Sequence, residues 1–208
     1  MMMKKENYVW YASYGSNLSK DRFLCYIRGG KPKGAEKVEV GCRDKSLPLE
    51  EATFIMNYPL YFAKNSVRWQ NQGVGFIGLI KDKRYETYSR KYLITTEQFV
   101  DVVKQENNGV ELEIDFNEVK AAGSMTLRDS WYGTILYLGE EDGYSIFTFT
   151  GDFDLDVPFS KPSKEYIRMI IEGLKKTIKL DNLEIINYLC TKPGIESNYS
   201  RQDLEKLM

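Results

Sequence analysis

The run at 8–14, Tyr-Val-Trp-Tyr-Ala-Ser-Tyr, stops at Gly15 and limits what the chain can fold into more than any other segment. Aromatic and β-branched side chains pack well on a pleated surface, so these residues predict a buried strand entering a turn. After the turn, Asn17 or Ser19 can cap a short helix that runs to about Ile27, where Gly29-Gly30-Lys31-Pro32 stops it. Residues 29–59 give no clear periodicity. Strands are predicted at 60–63 and 74–80. A helix is predicted at 95–107, where Phe99, Val102 and Val103 recur at helical spacing and Thr95 with Gln98 forms a capping box. Apolar and acidic residues alternate over 110–116 and predict a half-exposed strand. Segments 132–138 and 144–149 form a hairpin around Asp142-Gly143, two helices follow at 163–179 and 181–190, and a last short one starts at Ser200.

The chain has 208 residues, 42% of them hydrophobic, enough to bury one sizeable core. No repeat or linker divides it, so a single domain is expected over 1–208. Its 29 basic and 30 acidic residues leave a net charge of −1, which provides no general field for nucleic acid or an anionic membrane. The expected partner is a small molecule. The apolar stretch 8–12 is too short for a signal-peptide core or a membrane span. Cys25, Cys42 and Cys190 are widely spaced and odd in number, which fits a reducing, cytoplasmic location.

The chain contains no histidine. That removes Ser-His-Asp and Cys-His nucleophile systems and the common histidine-bearing catalytic zinc sites. An enzyme built from this sequence takes its base from Asp, Glu, Lys or Tyr. Three motif matches fail on context. Gly73-x-Gly75-x-x-Gly78 lies inside a β-like run rather than opening a helix. Gly29 to Gly34 has P-loop spacing, but Ala35-Glu36 stands where Lys-Ser or Lys-Thr is required. Asp152, Asp154 and Asp156 imitate the start of a calcium loop, yet Val157-Pro158 replaces its glycine. The acidic face of Glu111, Glu113 and Asp115 reads as a solvated one.

What remains is Tyr14-Gly15-Ser16-Asn17, between a strand and a helix. Glycine there can leave neighbouring backbone N–H groups pointing outward to hold an anion, and Ser16 and Asn17 add a hydroxyl and an amide. From spacing alone, a plain turn is the simpler account. The segment 11–18, Tyr-Ala-Ser-Tyr-Gly-Ser-Asn-Leu, resembles the opening signature of the γ-glutamyl cyclotransferase-like family. Gln105-Glu106 resembles the pair that carries that family's catalytic glutamate, and Pro162-Ser163-x-x-Tyr166 resembles the segment that opens a late helix and supplies a site tyrosine.

The resemblance implies a mixed α/β (α+β) fold, a small twisted or barrel-like sheet flanked by helices. It implies release of 5-oxoproline from a γ-glutamyl amine, amino acid or peptide, with the substrate's own α-amine attacking the γ-carbonyl. No enzyme nucleophile, metal or cofactor is required. Glu106 would be the general acid/base, which calls for partial burial. Tyr14, Gly15, Ser16, Asn17 and Leu18 would bind the substrate, with Tyr166 beside them. A further family tyrosine is assigned to Tyr132, although residues 107–130 separate it from Glu106. On the residues alone, Glu106 also reads as a solvent-facing helix end and Tyr166 as a core aromatic. A catalytically silent ligand- or partner-binding relative and a Glu-dependent amide hydrolase stay open beside the cyclotransferase.

Overall fold

The computed structural model describes residues 7–32 and 38–208. The run at 8–14 forms strand β1, Tyr8–Ser13, and its side chains divide between two cores. Val9 and Tyr11 face one core with helix α1, Lys20–Arg28, and helix α2, Thr96–Glu106. Trp10 and Ala12 face the other with helix α4, Lys164–Gly173, and helix α5, Asn182–Leu189. A strand covered on both sides needs no polar alternation, which is why the run is continuously apolar.

The main sheet has six strands in the order β2-β5-β1-β8-β7-β6: β2 is Glu50–Met56, β5 Thr87–Thr95, β6 Ser124–Thr126, β7 Thr134–Glu141 and β8 Tyr144–Thr150. β1 pairs antiparallel with β5 and parallel with β8, where Trp10 lies opposite Ile146 and Tyr11 opposite Phe147. The carboxyl ends of β1 and β8 therefore reach the same edge of the sheet. β3, Leu60–Ser66, and β4, Gln72–Ile77, form a separate two-stranded sheet with a bulge between Ala63 and Ser66. The fold is mixed α/β, a central mixed sheet flanked by helices.

Local signals specify most boundaries. Thr95 and Gln98 make the expected capping box on α2, and Asp181 with Glu184 makes another on α5. The Ser163 side chain caps α4 by accepting from the Tyr166 N–H. Asp142 and Gly143 have φ values of 55° and 79°, the type I′ geometry that matches hairpin twist. A five-residue π-helical segment, Leu174–Ile178, continues α4, and α6, Arg201–Glu205, follows its Ser200 cap.

Two parts differ from the sequence expectation. Residues 110–115 belong to no strand; Asp115 instead caps helix α3, Phe116–Ala122, by accepting from the N–H groups of Asn117 and Glu118. The alternation still marks burial, because Leu112, Ile114 and Phe116 pack on the core while Glu111, Glu113 and Asp115 are exposed. Strands β2 and β5 fall where no strand was legible. β5 is central despite Arg90 and Lys91 because both cations are paired: Arg90 with Glu51 at 2.9 Å, and Lys91 with Glu141 while lying 4.4 Å above the Trp10 ring. Gly34 and Ala35-Glu36 lie outside the described residues.

Candidate active site

Where β1 and β8 end, a cleft of about 960 Å³ opens toward the β3–β4 sheet. Its wall includes Tyr14, Gly15, Ser16, Asn17, Glu106, Tyr132 and Tyr166, so seven of the eight residues singled out from sequence meet in one place. Leu18 does not line it. That side chain is 1% exposed and packs on α4 at Gly173, where an added Cβ would come within 2.4 Å of the Leu18 Cβ.

The 14–17 loop is fixed by its own backbone and by neighbouring hydroxyls. Tyr14 Oη donates to the Phe149 carbonyl at 2.8 Å, tying the end of β1 to that of β8. A 3₁₀ turn at Ser16–Leu18 is closed by the Leu18 N–H on the Gly15 carbonyl at 3.0 Å. Gly15 has φ −110°, so no left-handed backbone requires glycine here. Clearance is the reason: an added Cβ would stand 2.7 Å from Tyr166 Oη.

Asn17 is 5% exposed. Its Nδ2 donates to Tyr11 Oη at 3.2 Å and its carbonyl accepts from Tyr92 Oη at 2.8 Å. Its Oδ1 has no partner among the described residues. The amide therefore keeps one buried acceptor unused beside the cleft, suited to an ammonium or amide N–H rather than to a carboxylate.

Tyr166 and Tyr132 converge on one residue of β4. The Gly75 N–H donates to Tyr166 Oη at 3.1 Å, and Tyr132 Oη donates to the Gly75 carbonyl at 3.2 Å. Burial pushes the Tyr166 phenol up to about 12, opposed by the Gly75 and Ser16 backbone hydrogen bonds. Tyr166 thus keeps its proton at neutral pH and has a hydroxyl hydrogen to give. Tyr132 is also pushed well up by burial, and its ring stacks on Phe76 at 5.1 Å.

Glu106 ends α2 with its side chain 14% exposed, not in open solvent. Oε1 accepts from the Tyr26 hydroxyl, and Oε2 lies 3.6 Å from Arg68 Nη1. Tyr26 Oη in turn accepts from Arg22 Nη2 at 2.8 Å and Arg68 Nη1 at 2.7 Å. Glu39 Oε1, buried, lies 3.0 Å from Arg22 Nη2 and 3.4 Å from Arg68 Nη1. Two guanidinium groups and two carboxylates thus surround one phenol with balanced charge. The sequence gives no mark of this cluster beyond Arg22 and Tyr26 standing four apart on one helix face.

The glycine triad at 73, 75 and 78 lies in and just after β4, with no helix opened by it. Asp154 Oδ1 accepts from the Leu79 N–H at 2.9 Å. Among the described residues there is no group of three or more His, Cys, Asp or Glu side chains that could hold a metal ion. No described helix is long and apolar enough to cross a membrane.

No known protein-family profile matches the chain. Solved structures do. A γ-glutamyl cyclotransferase superposes with a TM-score of 0.51 at 13% identity, covering 96% of this chain and 97% of its own. An uncharacterized human protein gives 0.53 at 15% identity, with 97% and 98% covered. YkqA from Bacillus subtilis gives 0.50 at 13% identity, covering 91% of this chain and 56% of its own. In sequence, the chain is 36% identical over 200 residues to histone deacetylase 5 of Arabidopsis thaliana, a match that takes in 87% of this chain but spans 30% of that protein. The fold is that of a γ-glutamyl cyclotransferase.

Proposed function

We propose that the cleft binds a γ-glutamyl compound and releases its glutamyl part as 5-oxoproline, with Glu106 as general acid/base. The observation that carries this reading is the shared cleft: a half-buried carboxylate faces the loop 14–17 together with two proton-bearing phenols and the unpartnered Asn17 Oδ1. A histidine-free chain leaves the proton work to such a carboxylate. Asn17 Oδ1 accepts from the substrate α-ammonium, and the Ser16 side of the loop receives the α-carboxylate. Tyr166, with its oxygen engaged by the backbone of Gly75 and Ser16, donates its hydrogen to the γ-carbonyl oxygen.

Glu106 takes a proton from the α-ammonium, and the freed amine attacks the γ-carbonyl carbon. The C–N bond to the leaving group then breaks as the proton on Glu106 passes to the departing nitrogen, and the second proton that the ring nitrogen sheds on becoming the lactam N–H follows through Glu106, so the amine leaves as an ammonium. The nucleophile is already part of the substrate, so holding the folded conformer supplies the effective molarity of a tethered reaction. The plant deacetylase relative does not redirect this reading, since the match spans 30% of that protein.

The test is product analysis across a panel of γ-glutamyl amines, amino acids and peptides. Wild type yields 5-oxoproline, and a natively folded Glu106→Gln loses about 100-fold or more of kcat. Full activity in that variant removes Glu106 from the chemistry. Free glutamate as the product identifies a hydrolase instead. Thermal stabilisation by the panel without any turnover identifies a binding protein.

A further inference from the structure

The Tyr26 hydroxyl has one hydrogen to give and two acceptor positions. Both acceptor positions are filled by guanidinium N–H groups, Arg22 Nη2 at 2.8 Å and Arg68 Nη1 at 2.7 Å. Among the described residues the hydrogen has one acceptor, Glu106 Oε1. The direction of this hydrogen bond is therefore fixed by its surroundings. We propose that Tyr26 is a positioning residue that holds Glu106 by Oε1 and reserves Oε2 for the proton exchanged with substrate.

The residue before Glu106 grips the same tyrosine at its other end. Gln105 Nε2 donates to the Tyr26 carbonyl at 3.0 Å while Gln105 Oε1 accepts from the Gly41 N–H at 3.1 Å. Tyr26 is thus tied to α2 through both its backbone and its hydroxyl, and α1 cannot slide without moving the carboxylate. Arg68 reaches Oε2 only at 3.6 Å, beyond a good hydrogen bond, so that oxygen has no donor of its own within the cluster. Glu39 neutralises the cations that would otherwise crowd the site with positive charge. Its segment is held to the end of α1 by paired backbone hydrogen bonds between Gly30 and Glu39. This arrangement rests on the reading of Glu106 as acid/base.

The experiment compares wild type, Glu106→Gln and Tyr26→Phe on the same γ-glutamyl substrate. Tyr26→Phe is expected to lower kcat by 10- to 100-fold, roughly the cost of removing an orienting partner, with KM within about threefold of wild type. A natively folded Tyr26→Phe with wild-type kcat, or with KM carrying the whole change, overturns the proposal. Because Tyr26→Phe strips two buried guanidinium groups of an acceptor, 3-fluorotyrosine is also placed at position 26. It keeps the shape and every hydrogen bond but donates more strongly, and should move kcat by at least about twofold with KM unchanged. An unchanged kcat there also overturns it. If Glu106→Gln stays active, the acid/base reading has failed. If that variant is dead while both Tyr26 variants match wild type, only the positioning role has failed.

Discussion

The Tyr166 hydroxyl occupies the space that a side chain on Gly15 would need, 2.7 Å from the position of its missing Cβ. The loop and helix α4 are therefore matched by subtraction. Gly15→Ala should force either Tyr166 off the Gly75 N–H or the loop out of place, costing about 1–3 kcal/mol of stability and about 100-fold in kcat/KM. The clash is with a single oxygen. In a Tyr166→Phe background the same alanine should cost distinctly less stability, and a double-mutant cycle from denaturant melts reads the coupling. Strictly additive losses would show that the two residues do not compete for this space.

The buried ion pairs around Tyr26 predict a second asymmetry. Arg22 and Glu39 side chains are each 1% exposed, and Arg68 shares the same carboxylate. Glu39→Gln leaves two guanidinium groups facing Glu106 alone. It should destabilise the fold by about 3–5 kcal/mol, as for other buried pairs that lose one partner, measured as a shift in denaturant midpoint. Replacing Arg22 and Glu39 together by apolar residues of similar volume should cost less than Glu39→Gln. A fully tolerated Glu39→Gln would mean that water already compensates these charges.

Alkaline pH gives a prediction whose sign can be worked through. Burial holds the phenols of Tyr11, Tyr26, Tyr92, Tyr132 and Tyr166 above the usual value, Tyr166 at about 12. Above about pH 10 the unfolded chain releases these protons while the native state keeps them, so stability falls as pH rises. For Tyr166 the window runs from about 10 to about 12. Lys192 acts in the opposite sense, because burial lowers it to about 8. From about pH 8 to 10.4 the native state is the one that sheds a proton there, and stability rises. Cys42, pushed up by burial to about 12, opposes Lys192 from about pH 8.5, so thermal melts should stay nearly level above pH 8 and then fall steeply. Lys192→Met should bring the fall forward to about pH 8.5. The part of the tyrosinate absorbance that belongs to these five phenols should appear together with unfolding, and ionisation of all 15 tyrosines in the native protein near pH 10 would contradict the buried assignments.

Periodicity and capping chemistry made much of the fold legible. β1, α2, the β7–β8 hairpin and the capped late helices each carry their signal within a few neighbouring residues. β5 does not, since Arg90 and Lys91 look like surface residues until Glu51 and Glu141 arrive from other strands to pair with them. At 110–116 the alternation reported which side chains are buried, while the Asp115 cap decided the backbone. The cleft divides in the same way. The loop 14–17, Glu106 and Tyr166 stand out as local patterns, whereas Arg68, Glu39 and Tyr26 acquire meaning only when the 3₁₀ turn Val67–Trp69, the irregular segment around Glu39 and helix α1 meet. Gly15 reads locally as a turn glycine that exposes backbone N–H groups, whereas the close approach of Tyr166 belongs to a distant helix, and no inspection of residues 14–17 alone reveals it.

The parallel pairing of β1 with β8 also gives the molecule a handle. Since Trp10 lies opposite Ile146, the Asp142-Gly143 turn stands beside the start of β1, while the cleft opens beyond its end. A six-residue strand separates them by roughly 20 Å. A fluorophore, affinity peptide or surface tether inserted at this hairpin tip would leave the cleft unobstructed, so immobilised protein could be screened against candidate substrates with its mouth turned toward the solution.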